Sequence, residues 1–322
     1  MIKFKISIVG SYPRSISLGK VFSRYRSGKI DKTTLDSEIS KRTISFLNLA
    51  KDIGAHYTTD GLLRWDDIMD ITFSYIKGPS KGELMRFFDN NFYYRKPVIK
   101  EEIKGSSEEF KKIVENDLEL VKKSGYEGVL KIPIVGPLTY ARLSDNRYYK
   151  TEEDLIFAYS KETNSVLRSL GDLVKAVEIH EPSFFEKGIK GAILSRLTDA
   201  YAEMLAGVNM ERHLISYFNI ISSRLNLFLG LPVDIYGFDV IENLGSIAQV
   251  YRRIEGKNVF FGVLNTRNTK LEKVSTIRRI VGKGYQKGAK EVYIGNAAPM
   301  DFIPEIIAVR KLKLLKKVGE NK

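Results

Sequence analysis

The chain is predicted to fold as a single TIM-like (β/α)8 barrel domain over residues 1–322, an α/β architecture, with an aromatic-rich lid insertion. Three observations predict it. Short runs with apolar residues at period two alternate about eight times with longer runs at helical spacing, and eight strand-helix units close a parallel barrel. The strand-like runs end in Gly, Pro, Asn or charged residues, the composition of loops that carry chemistry at the C-terminal face of such barrels. A length of 322 residues with 43% hydrophobic and 28% charged side chains suits one large soluble core.

Phe4 to Val9 reads as the first strand and leaves through Gly10-Ser11-Tyr12-Pro13-Arg14, a turn-rich exit with a guanidinium at the strand end. A helix is expected from Lys32 to Ile53, where Leu35, Ile39, Ile44, Leu47 and Ile53 recur near helical spacing and Gly54 follows as a stop. His56 to Gly61 is a short strand ending in Asp-Gly, and Asp66 to Ile76 is expected to be helical, with Ile68, Ile71, Tyr75 and Ile76 on one side. Gly78 to Lys104 interrupts the alternation with an aromatic-polar island from Arg86 to Pro97. So long an insertion reads as a hairpin or lid over the barrel mouth, as a direct ligand contact, or as both.

Phe110 to Ser124 is expected to be helical, and Gly128 to Val135 a strand that exits through Gly136-Pro137-Leu138-Thr139. A long helix from Glu152 to Leu173 leads into the strand Val174 to Glu181. Helices follow at Arg196 to Ala206, Ile220 to Phe228, Leu244 to Ile254, Leu271 to Gly284 and Phe302 to Leu315. Between them lie strands at His213 to Phe218, Val233 to Phe238, Val259 to Leu264 and Glu291 to Ile294.

Cysteine is absent, which excludes disulfides, thiolate nucleophiles and zinc sites with sulfur ligands. His56, His180 and His213 lie on separate elements without metal-ligand spacing, so no bound metal is expected. A balance of 52 Lys+Arg against 39 Asp+Glu gives +13, which suits nucleic acid, an anionic substrate or an acidic partner. No groove-reading motif is present, so specific nucleic-acid binding is not expected. The basic run from Arg310 to Lys317 reads as the solvated face of an amphipathic terminal helix. Apolar runs fall short of the roughly 20 residues of a membrane span. Met1 to Ile6 alternates like a strand rather than a leader, and the expected location is the cytoplasm.

The stretch Val177-Glu178-Ile179-His180-Glu181-Pro182 focuses the search for a site. Its alternation argues a strand, and Pro182 ends it, leaving His180 and Glu181 at the exit where barrel chemistry sits. Together with Asp60 they are the candidate acid/base groups; the alternative is a His and a Glu that merely neutralise each other in a polar cap.

Several strand exits, in order, resemble the cobalamin-independent methionine synthase family. They are Gly10-Ser11-Tyr12-Pro13-Arg14 with Gly28-Lys29-Ile30, Thr59-Asp60-Gly61 with Arg64-Trp65-Asp66-Asp67, and Phe88-Asp89-Asn90-Asn91-Phe92-Tyr93-Tyr94. Further on come Ile134 to Thr139, His180-Glu181-Pro182, Ser216-Tyr217-Phe218 and Gly262-Val263-Leu264-Asn265-Thr266-Arg267-Asn268. The likeness runs nearly the whole length and is closer to that family's folate-facing N-terminal barrel than to its zinc-bearing one. The zinc-bearing barrel is known for a His-x-Cys pair, a Glu and a later Cys. Here Leu214, Ser216, Asp239 and Ala298 stand at roughly those positions, and the family's Asp-Glu-Pro and Asp-Gly-Glu appear as His180-Glu181-Pro182 and Asp60-Gly61-Leu62.

The resemblance implies a component of a split methionine synthase that binds no zinc itself. Such a barrel binds the methyl donor, or scaffolds a separate zinc-bearing methionine synthase catalytic chain. A methylated folate or similar anionic donor would be contacted through its carboxylate tail by Arg14, Lys20 and Arg86, with Phe92, Tyr93 and Tyr94 over its ring and Asn265 and Arg267 as further contacts. Two other readings stand beside this one: a barrel enzyme of another one-carbon or decarboxylation reaction, and a non-catalytic assembly protein.

Overall fold

Each barrel strand pairs in parallel with its sequence neighbours, and the first pairs with the last, so the sheet closes without an edge. The structure, a computed structural model, describes residues 3–320, and Met1 and Ile2 of the alternating opening lie outside the described residues. The strands are β1 (Lys5–Ser7), β2 (Ala55–Thr58), β3 (Val129–Val135), β4 (Ala176–His180), β5 (Glu211–Ser216), β6 (Ile235–Asp239), β7 (Asn258–Leu264) and β8 (Glu291–Asn296). The predicted barrel and its eight strands are therefore observed.

The surrounding helices start where the sequence supplies caps. They are α1 (Ile16–Arg26), α2 (Lys32–Asp52), α3 (Ser107–Ser124), α4 (Pro137–Leu143), α5 (Glu152–Leu170), α6 (Gly191–Leu205), α7 (Leu225–Leu229), α8 (Ile247–Tyr251), α9 (Val274–Gln286) and α10 (Glu305–Gly319). The Asp31 carboxylate accepts the Thr34 N–H at 2.8 Å to open α2, and Thr151 with Asp154 forms a capping box on α5. Helix α3 ends at Gly125, whose φ of 65° lies in the left-handed region that glycine enters without penalty.

Four elements differ from expectation. Asp66 to Ile76 is not a helix: only Thr72–Tyr75 makes a helical turn, and Ile76 begins a two-residue strand. The carboxylates of this stretch bind its own backbone instead, Asp67 accepting the Asp70 N–H at 2.8 Å and Asp70 the Asp66 N–H at 3.1 Å. The segment expected as helix from Ile220 becomes helical only at Ser222, because the Ile220 N–H is held by the Asn243 side chain at 3.1 Å. Helix α1 has no counterpart in the periodicity reading, since it buries only Leu18 and Phe22 and so carries a weak apolar stripe. In the basic terminal run, Lys311 is buried rather than solvated, its ammonium 2.7 Å from Glu272.

The insertion between β2 and α3 is a hairpin. Ser80–Arg86 pairs antiparallel with Tyr93–Ile99, and a short strand at Asp145–Asn146 adds to its other side. Its tip, residues 87–92, bends over the C-terminal end of the barrel.

Candidate functional site

The barrel mouth is filled by aromatic side chains from three places in the chain. Phe87, Phe88 and Phe92 come from the hairpin tip, Phe218 from the exit of β5 and Phe302 from the exit of β8. Ring centroids lie 5.4 Å apart for Phe88–Phe218, 6.3 Å for Phe87–Phe218 and 5.3 Å for Phe92–Phe302, with tilted or edge geometries favoured by aromatic quadrupoles. Phe88 and Phe218 are held at φ of 51° and 75°, a region costly to a side chain of their size. Arg267, leaving β7, closes the arrangement: it donates to the Asp89 carbonyl at 2.9 Å and its guanidinium lies 5.4 Å from the Phe218 ring centre.

Beneath this plug the barrel interior is polar. Glu178 on β4, Lys131 on β3 and Ser7 on β1 are buried, and Lys131 donates to both of the others. Ser7 and Glu178 stand three strands apart around the sheet, so their common partner spans the barrel interior. The other Glu178 oxygen accepts the Gly10 N–H at 2.7 Å and lies 2.8 Å from His180 Nε2. Burial alone pushes the Glu178 carboxyl up, but Lys131 and His180 outweigh it and hold it down at about 2. Burial pulls the Lys131 ammonium down against the attraction of Glu178. Nδ1 of His180 and the Tyr217 hydroxyl are buried and make no hydrogen bond among the described residues; the two rings are 5.9 Å apart.

The three predicted acid/base groups are not brought together. Period two places His180 and Glu181 on opposite faces of β4. His180 joins the interior network, whereas Glu181 turns to the helical layer and accepts the Thr139 N–H at 2.6 Å and the Tyr201 hydroxyl at 2.8 Å. Neither does His180 neutralise Glu181; its carboxylate partner is Glu178. Burial raises Glu181 to about 7 despite those donors, and its two oxygens take the Leu138 and Thr139 N–H groups in the first turn of α4. Asp60, past β2, accepts the Leu62 N–H at 3.0 Å and faces α3, beside Asp117.

The residues implied as donor contacts are also dispersed. Arg14 is tied to Asp66 at 2.7 Å and to the Leu63 carbonyl at 2.8 Å. Lys20 stands on the exposed side of α1. Arg86 holds the hairpin tip itself, donating to the Asn90 carbonyl at 2.9 Å, and Tyr93 beside it is 55% exposed. Tyr94 is buried, its hydroxyl on the Leu143 carbonyl at 3.1 Å. The Asn265 side chain bonds Glu242 at 2.6 Å and positions the Arg267 N–H at 2.7 Å, which sets up the Arg267 contact on the tip.

The positions that the family resemblance assigns to zinc do not fit the ion. Leu214 and Ala298 offer no ligand atom, and Ser216 has an alcohol in place of a thiolate. Asp239 accepts the N–H groups of Phe218 and Glu242, and burial raises it to about 7. Among the described residues no group of three or more His, Cys, Asp or Glu side chains stands where it could hold a metal ion. Lys131 and Glu178 were missed as site residues from sequence, although Glu178, two residues before His180 on an alternating strand, had to share its face.

Residues 69–283 match the family described as cobalamin-independent synthase, N-terminal domain. The methionine synthase of Sulfolobus acidocaldarius is 24% identical over 310 residues, which cover 95% of this chain and 88% of that protein. A methionine synthase of Saccharolobus islandicus is 28% identical over 312 residues, covering 95% and 91%. Among solved structures, a B12-independent methionine synthase from a Shewanella species in complex with selenomethionine superposes with a TM-score of 0.75 at 14% identity, covering 97% of this chain and 96% of that one. At that identity the likeness is one of fold.

Proposed function

The chain belongs to the cobalamin-independent methionine synthase family, matching its N-terminal domain, and we propose that it serves methyl transfer to homocysteine as the accessory barrel of a split enzyme. In this reading a separate zinc-bearing methionine synthase chain activates the thiol, and the present chain docks on it through the C-terminal face of its own barrel.

One observation carries the reading. Among the described residues every exposed large apolar side chain lies on a segment that follows the C-terminal end of a barrel strand: Ile16, Tyr25, Leu84, Met85, Tyr93, Tyr148, Leu244, Leu271 and Ile306. That face of a barrel ordinarily admits substrate, yet here its centre is plugged while the segments around it carry exposed apolar side chains among charged ones. A sealed mouth ringed by exposed Leu, Ile, Met and Tyr suits a protein partner better than turnover within the barrel. A methylated folate or similar anionic donor would then meet Arg86, Tyr93 and Arg267 on the same face. Lys20 and Arg14 are less suited to it, the first on an outer helix and the second engaged by Asp66.

The test combines the purified chain with the purified zinc-bearing chain of the same organism and measures methionine formed from homocysteine and a methylated folate. No product from this chain alone, and a several-fold gain when it joins the partner, is expected; Leu84→Asp with Met85→Asp should abolish the gain. Methionine made by the isolated chain, or a partner rate indifferent to it, would refute the accessory role.

A further inference from the structure

Beside the plug, between the exits of β1, β2 and β8, lies an open cleft of about 250 Å³, room for a ligand of a few heavy atoms. Tyr12, Trp65 and Phe92 supply aromatic wall, and Leu62 and Ile303 supply aliphatic surface. Four charged residues also line it, and two of them are already engaged. Asp66 lies 2.7 Å from both Arg14 and Arg26. The Arg14 guanidinium, besides that pair, donates to the Leu63 and Trp65 carbonyls and lies 4.0 Å from the Phe22 ring centre.

The other two are carboxylates outside any ion pair, although burial raises the Asp301 carboxyl and the Arg14 charge reaches it and draws it part of the way down. Asp301 accepts the Ser11 hydroxyl on one oxygen, and Glu305 opens α10. Among the described residues neither forms a salt bridge. In a chain of net charge +13, the free charge in this cleft is negative. That choice of charge disfavours a polycarboxylate and favours a cation. Aromatic faces attract a cation through the ring quadrupole, most strongly when the cation is weakly hydrated and gives up little solvation on entry.

We propose that this cleft binds a small organic cation of the quaternary ammonium or sulfonium type, lined by Tyr12, Trp65 and Phe92 and countered by Asp301 and Glu305. Phe92 belongs both to this cleft and to the mouth plug, where it packs on Phe302. A ligand here therefore bears on the hairpin as well.

Trp65 is the only tryptophan in the chain, so its emission reports directly on the cleft. The 322-residue chain is titrated with tetramethylammonium chloride, sodium chloride keeping the ionic strength constant. A saturable change in Trp65 emission is expected, with sodium alone giving none. Glu305→Gln, at a partly exposed position without a bonded partner, should weaken the apparent affinity about five- to ten-fold, and Asp301→Asn by at least as much. Because Glu305→Gln disturbs no packing, it keeps the test decisive if Asp301→Asn misfolds. A response that does not saturate, equal responses to sodium and tetramethylammonium, unchanged affinity in Glu305→Gln, or saturation by citrate in place of the cation overturns the proposal.

Discussion

Replacing Lys131 by Met tests the interior network most sharply. Both side chains of the Lys131–Glu178 pair are 0% exposed, so neither charge has water to fall back on. Truncating one member of a buried pair costs roughly 3–5 kcal/mol, most of it the penalty of the charge left behind. Glu178 would keep the Gly10 N–H at 2.7 Å and His180 at 2.8 Å, which places Lys131→Met near the lower end, about 3 kcal/mol. Replacing both, as Lys131→Met with Glu178→Leu, removes the stranded charge but leaves the Gly10 N–H and His180 Nε2 without their shared partner, a loss of about 1–3 kcal/mol for each. The double variant should therefore lose less than the two single losses summed, with a coupling of about 2 kcal/mol. Urea unfolding at pH 7, followed by Trp65 emission and far-ultraviolet circular dichroism, measures all four corners of the cycle. Single losses below about 1 kcal/mol that simply add in the double variant would refute a buried, mutually dependent pair.

Other outcomes follow from the same geometry. Glu181 is raised from 4.5 to about 7, so its contribution to stability is complete below the unfolded value and is lost as pH rises through 7. Unfolding free energy should fall by about 2–3 kcal/mol from this group between pH 5 and pH 8, and Glu181→Gln should remove that component; identical pH profiles for the two proteins would contradict it. Arg267→Ala removes the bond to the Asp89 carbonyl and the contact with Phe218, and amide exchange at residues 87–92 should rise about ten-fold, whereas unchanged exchange would show that the tip is held otherwise. After dialysis the chain should carry well under one zinc per molecule, and one tightly held zinc would reverse the assignment of thiol activation to a partner.

The barrel was legible because its signal is repeated: period two and period 3.6 alternate, and a weak element in one unit does not disturb the count. Where the reading failed, local polar bonds competed with periodicity. Asp67 and Asp70 each commit one carboxylate oxygen to local backbone and the other to the hairpin, at the Arg95 N–H and Lys81, which no apolar pattern in Ile68, Ile71 and Tyr75 discloses. The site was legible in part. The sequence located the aromatic island and the exits that meet it, but placed Arg86 and Arg267 as free cations when both hold the tip through backbone carbonyls. Treating His180-Glu181 as a unit was an error of register, since adjacent strand residues face opposite ways. Asp301 and Glu305 had no sequence signal, because only the closing of β8 against β1 brings them beside Tyr12.

The non-glycine residues at positive φ connect these observations. Among the described residues they are Leu62, Phe88 and Phe218, and each sits at the mouth or the adjoining cleft. A left-handed conformation costs such residues about 1–3 kcal/mol each and persists only where surrounding contacts over-determine it. Glycine or asparagine would relieve the strain, but neither would supply the ring that Phe88 and Phe218 press together over the barrel or the apolar surface that Leu62 gives the cleft. The strain is therefore tied to keeping large side chains at these points. Since Phe92 is shared by plug and cleft, filling the cleft and docking a partner on the rim act on one hairpin, and each event should alter the other's affinity by the same factor.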